Sequence, residues 1–295
     1  MNIAIFLQNR PHFGTTLIHL PLIHSLQLAY PDANIFLFSK NESTHLLTKI
    51  VSLKKVFVAK NRFTEIKNYR TTNFDITISL RKNSLFLSCV LLLSKGKKYA
   101  YTNTITKLFF TKSVPYQKDI YRAENFLNLL PDEVPAHYFH GKKKQYISLI
   151  PAGEYKIKHW AIQNYLQLAD TLVKLYPNID VNFVLGQAEK DYLDIIKKHN
   201  RTYSISFHRD IDELFEIITS SQLVIANDCG PAHIAQISDT SNIILYSDEN
   251  FKADKTVNEW FRKKENARYI ISDAGKSINT IKIEIVIKTA QSLLI

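Results

Sequence analysis

The run Val224-Ile-Ala-Asn-Asp-Cys-Gly-Pro-Ala-His233 concentrates the residue types that could do chemistry. Apolar and small residues lead into Asn-Asp, then Gly-Pro, then a segment with helical spacing. This pattern predicts a buried strand that ends in a tight turn and opens a helix. Pro231 suits the first helical position, where a missing N–H costs nothing. Gly230 allows the backbone to come close to a ligand. The N–H groups of a first helical turn carry a partial positive charge, which suits a phosphate. Asp228 and His233 bracket that turn, so the expected ligand is phosphorylated or a nucleotide. A bare carboxylate repels a diphosphate, so Asp228 is expected to face a sugar or a neighbouring N–H. His233 reads equally as a ligand contact or as a packed helical residue.

Two other loops follow strand-like segments. Pro151-Ala-Gly-Glu-Tyr-Lys-Ile-Lys-His-Trp160 offers Lys156 and Lys158 as point charges for a phosphate. Solvated surface lysines are the plain alternative. In Gln8-Asn-Arg-Pro-His-Phe-Gly-Thr-Thr-Leu-Ile-His-Leu-Pro21, Gly14 and Thr15 read as a turn into a helix with Thr15 as its N-cap. Pro21 should kink that helix or lie near a start. The chain lacks the Gly-rich phosphate loop ending in Gly-Lys-Ser/Thr and the dinucleotide Gly-x-Gly-x-x-Gly. It also lacks metal-ligand spacing and a Gly-x-Ser-x-Gly elbow. P-loop kinases, common dehydrogenases, zinc hydrolases and serine hydrolases are therefore disfavoured, and no metal is expected.

The elements that must position these loops alternate along 295 residues. Strands are expected at 3–7, 35–38, 56–59, 76–80 and 99–101, and again at 146–150, 181–185, 203–207, 223–226, 243–246 and 269–271. Helices are expected near 15–30, 43–50, 62–69, 83–94 and 120–130. A clear one follows Trp160, with Ile162, Tyr165, Leu166, Ala169, Leu172, Val173 and Tyr176 on its buried face. Short apolar strands alternating with helices imply parallel sheets covered on both faces. Two such sets imply an α/β chain of two Rossmann-like, doubly wound domains, 1–140 and 141–295, facing across a cleft where ligands would bind. The last helix, about 277–294, caps either domain, the first included.

A formal net charge of +11 fits nucleic acid, an anionic membrane surface or phosphorylated substrates as partners, and equally a solvated basic surface with no specific partner. No Arg-rich arm and no aromatic–basic RNA motif is present, so nucleic acid is not expected. Cys89 and Cys229 form neither a disulfide framework nor a metal site, which suggests a reducing compartment, with a single disulfide left open. The N-terminus reads as a first strand rather than a signal peptide. Leu85–Leu93 is too short to span a bilayer and reads as a core helix.

With these residues in view, the chain resembles glycosyltransferase family 9, the lipopolysaccharide heptosyltransferases, over nearly its whole length. Asn2–Pro31 is similar to that family's first strand, Gly-containing turn and Leu-Pro helix. Phe74-Asp-Ile-Thr-Ile-Ser-Leu-Arg81 is similar to its Tyr-Asp…Leu-Arg strand, and Tyr121-Arg-Ala-Glu-Asn-Phe-Leu to the helix before its interdomain linker. Lys158-His-Trp160 matches its Lys-x-Trp turn, and Asn227-Asp-Cys-Gly-Pro-Ala-His-Ile-Ala235 its Asp-x-Gly-x-x-His signature. The resemblance implies a GT-B fold. It implies inverting, metal-independent transfer from a nucleotide-diphosphate sugar, usually ADP-heptose, to a lipopolysaccharide core or related surface glycan. No cofactor is implied. The enzyme would work in the cytoplasm, peripheral to the anionic inner leaflet. By motif position, Gly14, Lys158, Asp228, Cys229, Gly230 and His233 should surround the donor, with Lys158 stabilising the departing diphosphate. The chain departs from the family at Gly14-Thr15, where Gly-Asp is usual and the aspartate is the expected general base. A threonine hydroxyl cannot take a proton near neutral pH. No Asp or Glu precedes Asp32, which leaves His12, another loop or the acceptor's own phosphate. A second departure is Tyr246-Ser-Asp-Glu-Asn250, where Gly-Pro-Thr usually continues. Two alternatives stand beside heptose transfer: a non-catalytic binding member of the fold, or a transferase using another nucleotide sugar.

Overall fold

A computed structural model describes the backbone at residues 1–10, 12–82, 84–153, 155–249 and 253–294. It forms two compact units, Met1–Tyr138 and Phe139–Ile295. In the first, strands β1 (Asn2–Phe6), β2 (Asn34–Ser39), β3 (Lys55–Val58), β4 (Ile76–Ser79), β5 (Lys97–Tyr101) and β6 (Lys112–Val114) pair in parallel in the order β3-β2-β1-β4-β5-β6. In the second, β7 (Tyr146–Ile150), β8 (Asp180–Leu185), β9 (Ser204–Phe207), β10 (Leu223–Asn227), β11 (Ser241–Tyr246) and β12 (Ala267–Ile271) follow the order β12-β11-β10-β7-β8-β9. Both are doubly wound, with the reversal of strand order beside the first strand of each unit: between β1 and β4, and between β7 and β10. Ligands of such sheets bind outside the carboxyl ends of strands at that reversal.

The helices of the first unit are α1 (Phe13–Leu17), α2 (Leu20–Ala29), α3 (Arg62–Arg70), α4 (Leu85–Leu92), α5 (Thr104–Phe109) and α6 (Arg122–Leu127). Those of the second are α7 (Ile162–Leu175), α8 (Tyr192–His199), α9 (Ile211–Ser220), α10 (Ala232–Gln236), α11 (Ala253–Trp260) and α12 (Ile283–Gln291). Apolar runs of four to six residues became strands because both faces of each central strand are covered: β10 is buried along its whole length. One face of the first sheet is sealed by aromatic rings, with Phe6 stacked on Phe38 at 4.7 Å and Tyr69 on Phe74 at 5.0 Å.

Several expectations need correction. The helix expected at 15–30 is two helices broken at Ile18-His19, with Pro21 in the first turn of α2, where its missing N–H leaves no bond unmade. The segment expected at 43–50 is 3-10 helix over Glu42–Lys49. β6 and α5, of three and six residues, are too short to carry a readable period. On α7, Leu168 is buried while Val173 is exposed and Tyr176 only half-buried. Leu85–Leu93 is not a core helix: only Leu87, Ser88 and Leu91 of α4 are buried. The last helix is shorter than read. Val286 and Ala290 of α12 join the core of the second unit, where the helix packs on α7. Cys89 and Cys229 are both free thiols.

The Leu80-Arg81 motif is a structural clamp. The Arg81 guanidinium forks onto the buried Glu65 carboxylate at 2.7 and 2.5 Å and donates from Nε to the Leu7 carbonyl at 3.0 Å. One side chain thus ties α3 and the end of β1 to β4.

Candidate functional site

The two motif loops of the second unit leave neighbouring strands at the reversal of its sheet. The loop after β7 carries Lys158 in a 3-10 turn, Lys156–Lys158. The loop after β10 carries Asp228. Seventy residues apart in sequence, the Lys158 ammonium and the Asp228 carboxylate meet at 2.5 Å, both largely shielded from solvent. Asp228 therefore accepts a neighbouring N–H, that of the Lys158 ammonium. The carboxylate fixes where the ammonium sits, which a flexible lysine cannot do alone. The Lys156 side chain and Asn250 lie outside the described residues.

Asn227 holds the two loops together. Its buried side-chain oxygen accepts from the Tyr165 hydroxyl at 2.9 Å and from the Trp160 N–H at 3.4 Å, while its amide donates to the Ala152 carbonyl at 3.2 Å. Trp160 is fully buried, donates to the Ile281 carbonyl at 3.1 Å and packs edge-on against Tyr165. The Lys-His-Trp turn is thus held by its tryptophan, leaving its lysine as the reactive cation.

The turn after Asp228 differs from the expected anion cradle. Pro231 is the N-cap of α10, a helix of only five residues, too short for a full macrodipole. The Asp228 N–H bonds to the Leu245 carbonyl, the His233 N–H to Gly230, and the Ile234 N–H to Pro231. Much of the donor capacity at this turn is already committed, so an incoming diphosphate would depend chiefly on Lys158. Cys229 is buried, and burial pushes its thiol up to about 12. It serves as a neutral packing group.

His233 is buried and lies 5.6 Å from the Trp260 ring. Gln236 fixes its tautomer. The Gln236 carbonyl oxygen accepts the Arg262 N–H at 2.9 Å, which turns its amide onto His233 Nδ1 at 3.3 Å. His233 Nδ1 is then an acceptor and Nε2 bears the proton. Burial lowers its pKa to about 4, against a smaller raising pull from Asp228. The ring is a neutral N–H donor at neutral pH.

In the first unit, the loop after β1 lies at the corresponding reversal. His12, exposed, is the N-cap of α1. Thr15 is not the cap: it is buried inside the helix, and its hydroxyl donates back to the His12 carbonyl at 2.6 Å and the Arg10 carbonyl at 3.1 Å. Gly14 is buried in the same first turn. Thr15 therefore braces the backbone that presents His12.

Three supporting residues were not legible in the sequence. His19 is buried, with Nδ1 at 3.0 Å from the Thr16 carbonyl and Nε2 accepting the Gln8 N–H at 3.3 Å, and burial lowers its pKa to about 4. Lys264 donates to the carbonyls of Ala235, Ser238 and Thr240 at the end of α10. Asp248 accepts the backbone N–H groups of Ala253 at 3.0 Å and Gly275 at 2.8 Å, which hold its carboxyl below the usual range. The altered segment after β11 thus serves to tether the loops behind the site.

The buried histidines set an acid limit on stability. An unfolded histidine titrates near pH 6.5, whereas His19 and His233 titrate near 4 when folded. The unfolded chain binds more protons between those values, so stability is complete above about 6.5 and falls as pH drops toward 4. Each ring is expected to cost its unit about 2 kcal/mol between roughly pH 7.5 and roughly pH 5. Urea titrations at the two pH values check this. An unchanged slope in His19→Gln would show that His19 does not carry its share.

Residues 116–262, which include Lys158 and the Asp228–His233 turn but not the His12–Thr15 loop, match the model of glycosyltransferase family 9 (heptosyltransferase). A stretch of 105 residues is 30% identical to the lipopolysaccharide core heptosyltransferase OpsX of Haemophilus influenzae, spanning 34% of this chain and 29% of that protein. The fold is similar to that of the E. coli heptosyltransferase WaaC with ADP, with a TM-score of 0.71 and 14% identity over 99% of both chains. It is also similar to E. coli ADP-heptose lps heptosyltransferase II, with a TM-score of 0.67 and 16% identity over 100% of this chain and 98% of that one. At these identities the structural likeness establishes the GT-B fold.

Proposed function

The chain belongs to glycosyltransferase family 9, and from that premise we propose that it transfers a sugar, heptose first among the candidates, from a nucleotide diphosphate to a lipopolysaccharide core or related surface glycan. The observation that carries this reading is the Lys158–Asp228 pair at the sheet reversal, with the neutral N–H donor His233 in the adjoining turn. The names of the similar proteins support the donor class: one holds ADP and another is an ADP-heptose enzyme. Their identity with this chain is too low to carry the sugar or the acceptor across.

In the proposed reaction the acceptor oxygen bonds to the anomeric carbon as the bond from that carbon to the diphosphate breaks, with inversion. The negative charge developing on the diphosphate is met by Lys158, already aimed by Asp228, with His233 as a further donor. Preorganised protein charge would do the work of a metal, so dialysis against EDTA is expected to leave turnover unchanged. A loss restored by added magnesium would reverse that assignment.

The acceptor proton needs a base. A threonine hydroxyl is too weak a base to take it near neutral pH, and that of Thr15 points at the His12 and Arg10 carbonyls. His12, exposed at the N-cap of α1, is the proposed replacement. His12→Ala is expected to lower kcat by about 10²-fold or more with little change in donor KM. Equal turnover would move the base to another loop or to the acceptor's phosphate. The reaction is placed at the cytoplasmic side of the inner membrane, where the cationic chain would meet an anionic lipid-linked acceptor. Among the described residues no helix is long and apolar enough to cross a membrane.

Isothermal titration with ADP-heptose, against UDP- and GDP-sugars, tests the donor. Selective binding of ADP-heptose supports the reading. Selective binding of another nucleotide sugar keeps transfer and discards heptose. No binding at all favours the non-catalytic alternative, which the loss of the expected aspartate at Thr15 already motivates.

A further inference from the structure

Helices α3, α4 and α5 border the same face of the first sheet: Tyr69 of α3 and Leu87 and Leu91 of α4 enter one core cluster with Phe6 and Phe38, and Phe110, the C-cap of α5, packs against it. Their opposite faces are unusually apolar. Phe63 is 82% exposed, Leu93 77%, Leu108 70% and Phe109 63%, with Phe86 and Leu92 also open to solvent. The three helices are contiguous. The Arg62 guanidinium lies 5.4 Å from the Phe86 ring, joining α3 to α4, and Asn103 at the cap of α5 donates to Ser88 of α4. A contiguous apolar surface of this kind marks an interaction site.

The charge around it identifies the partner. Residues 62–112 hold ten lysines and arginines against two acids, Glu65 and Asp75. Glu65 is buried against Arg81, and Asp75 accepts the Asn2 N–H. The exposed cations Arg62, Lys67, Arg70, Lys95 and Lys107 therefore border the apolar side chains with little opposing charge. Aromatic and leucine side chains flanked by lysine and arginine suit the boundary between anionic headgroups and acyl chains. A protein partner of matched apolar shape would not require so one-sided a charge.

We propose that the α3–α4–α5 face docks the first unit on an anionic phospholipid bilayer, with the phenylalanines and leucines entering the interface and the cations meeting the headgroups. This deepens the inner-leaflet placement above. Vesicle binding needs no sugar donor, so its failure and a failure of transfer are separate results.

The full chain is sedimented with vesicles of phosphatidylethanolamine and phosphatidylglycerol, and with vesicles of phosphatidylcholine. Binding is expected to the anionic vesicles, weakening as salt rises. Phe86→Ser, Leu93→Ser and Phe109→Ser combined should weaken it by about tenfold or more, because apolar insertion sets much of the strength. Donor binding should stay unchanged, and a two-unit urea unfolding profile like the parent's shows that the first unit of the variant is folded. Arg62→Glu with Lys107→Glu should remove the preference for anionic lipid. A fluorophore on exposed Cys89 of α4, with Cys229 buried, should shift to shorter wavelength on binding. Equal binding to both vesicle types, no binding at low salt, or full binding by the triple serine variant would overturn the proposal. So would light scattering that shows a dimer which the same variant dissociates, since the face would then join two copies of the chain.

Discussion

Lys158→Ala is expected to lower kcat/KM for sugar transfer by about 10²- to 10³-fold, the usual cost of removing one donor aimed at developing charge. The reason lies in the 2.5 Å contact with Asp228. In the native site the pair is neutral as a unit, and the carboxylate serves to hold the ammonium. Without Lys158, the shielded Asp228 carboxylate would face a diphosphate with nothing to offset it. The single variant would then lose an attraction and gain a repulsion. Adding Asp228→Asn should therefore restore part of the donor affinity lost in Lys158→Ala, giving a non-additive double-mutant cycle. Steady-state kinetics and donor titration on the four proteins decide this. A single variant at full rate would remove Lys158 from the mechanism, and strict additivity would show that Asp228 does not act through it.

Glu65→Ala should destabilise the first unit by about 3–5 kcal/mol, because it strands a shielded guanidinium without its counter-ion. Arg81 would keep its bond to the Leu7 carbonyl but lose both carboxylate contacts. Amide exchange should quicken most in β1, β2 and β4, the strands that Arg81 touches or extends. Replacing both partners with apolar residues, Glu65→Leu with Arg81→Met, should recover much of the loss, since a well-packed apolar pair avoids the cost of burying charge. Urea unfolding of the two variants checks the contrast. If Glu65→Ala were as stable as the parent, the fork would be ornamental to the fold.

The sequence by itself determined the alternation of apolar strands and helices, and hence two doubly wound sheets. β7 runs from Tyr146 to Ile150 as read, because five consecutive residues with apolar alternates need no distant partner to be recognised. The Lys-x-Trp and Asp-x-Gly-x-x-His motifs were legible for the same reason, being local. Features that depend on neighbours were not. The break between α1 and α2 was hidden because Pro21 is compatible with either a kink or a new first turn. α4 looked like core because composition cannot tell which side of a helix another element covers, and much of its surface is open. The lysine partner of Asp228 was hidden because it stands seventy residues earlier and meets it only when β7 and β10 pair. The neutral states of His19 and His233 likewise arise from enclosure, which withdraws the water that would stabilise a charged ring. Residue type and spacing set the elements and the inventory of reactive groups. Strand order, burial and the pairing of charges were decided by the tertiary structure, because they arise from contacts between segments that local sequence does not specify.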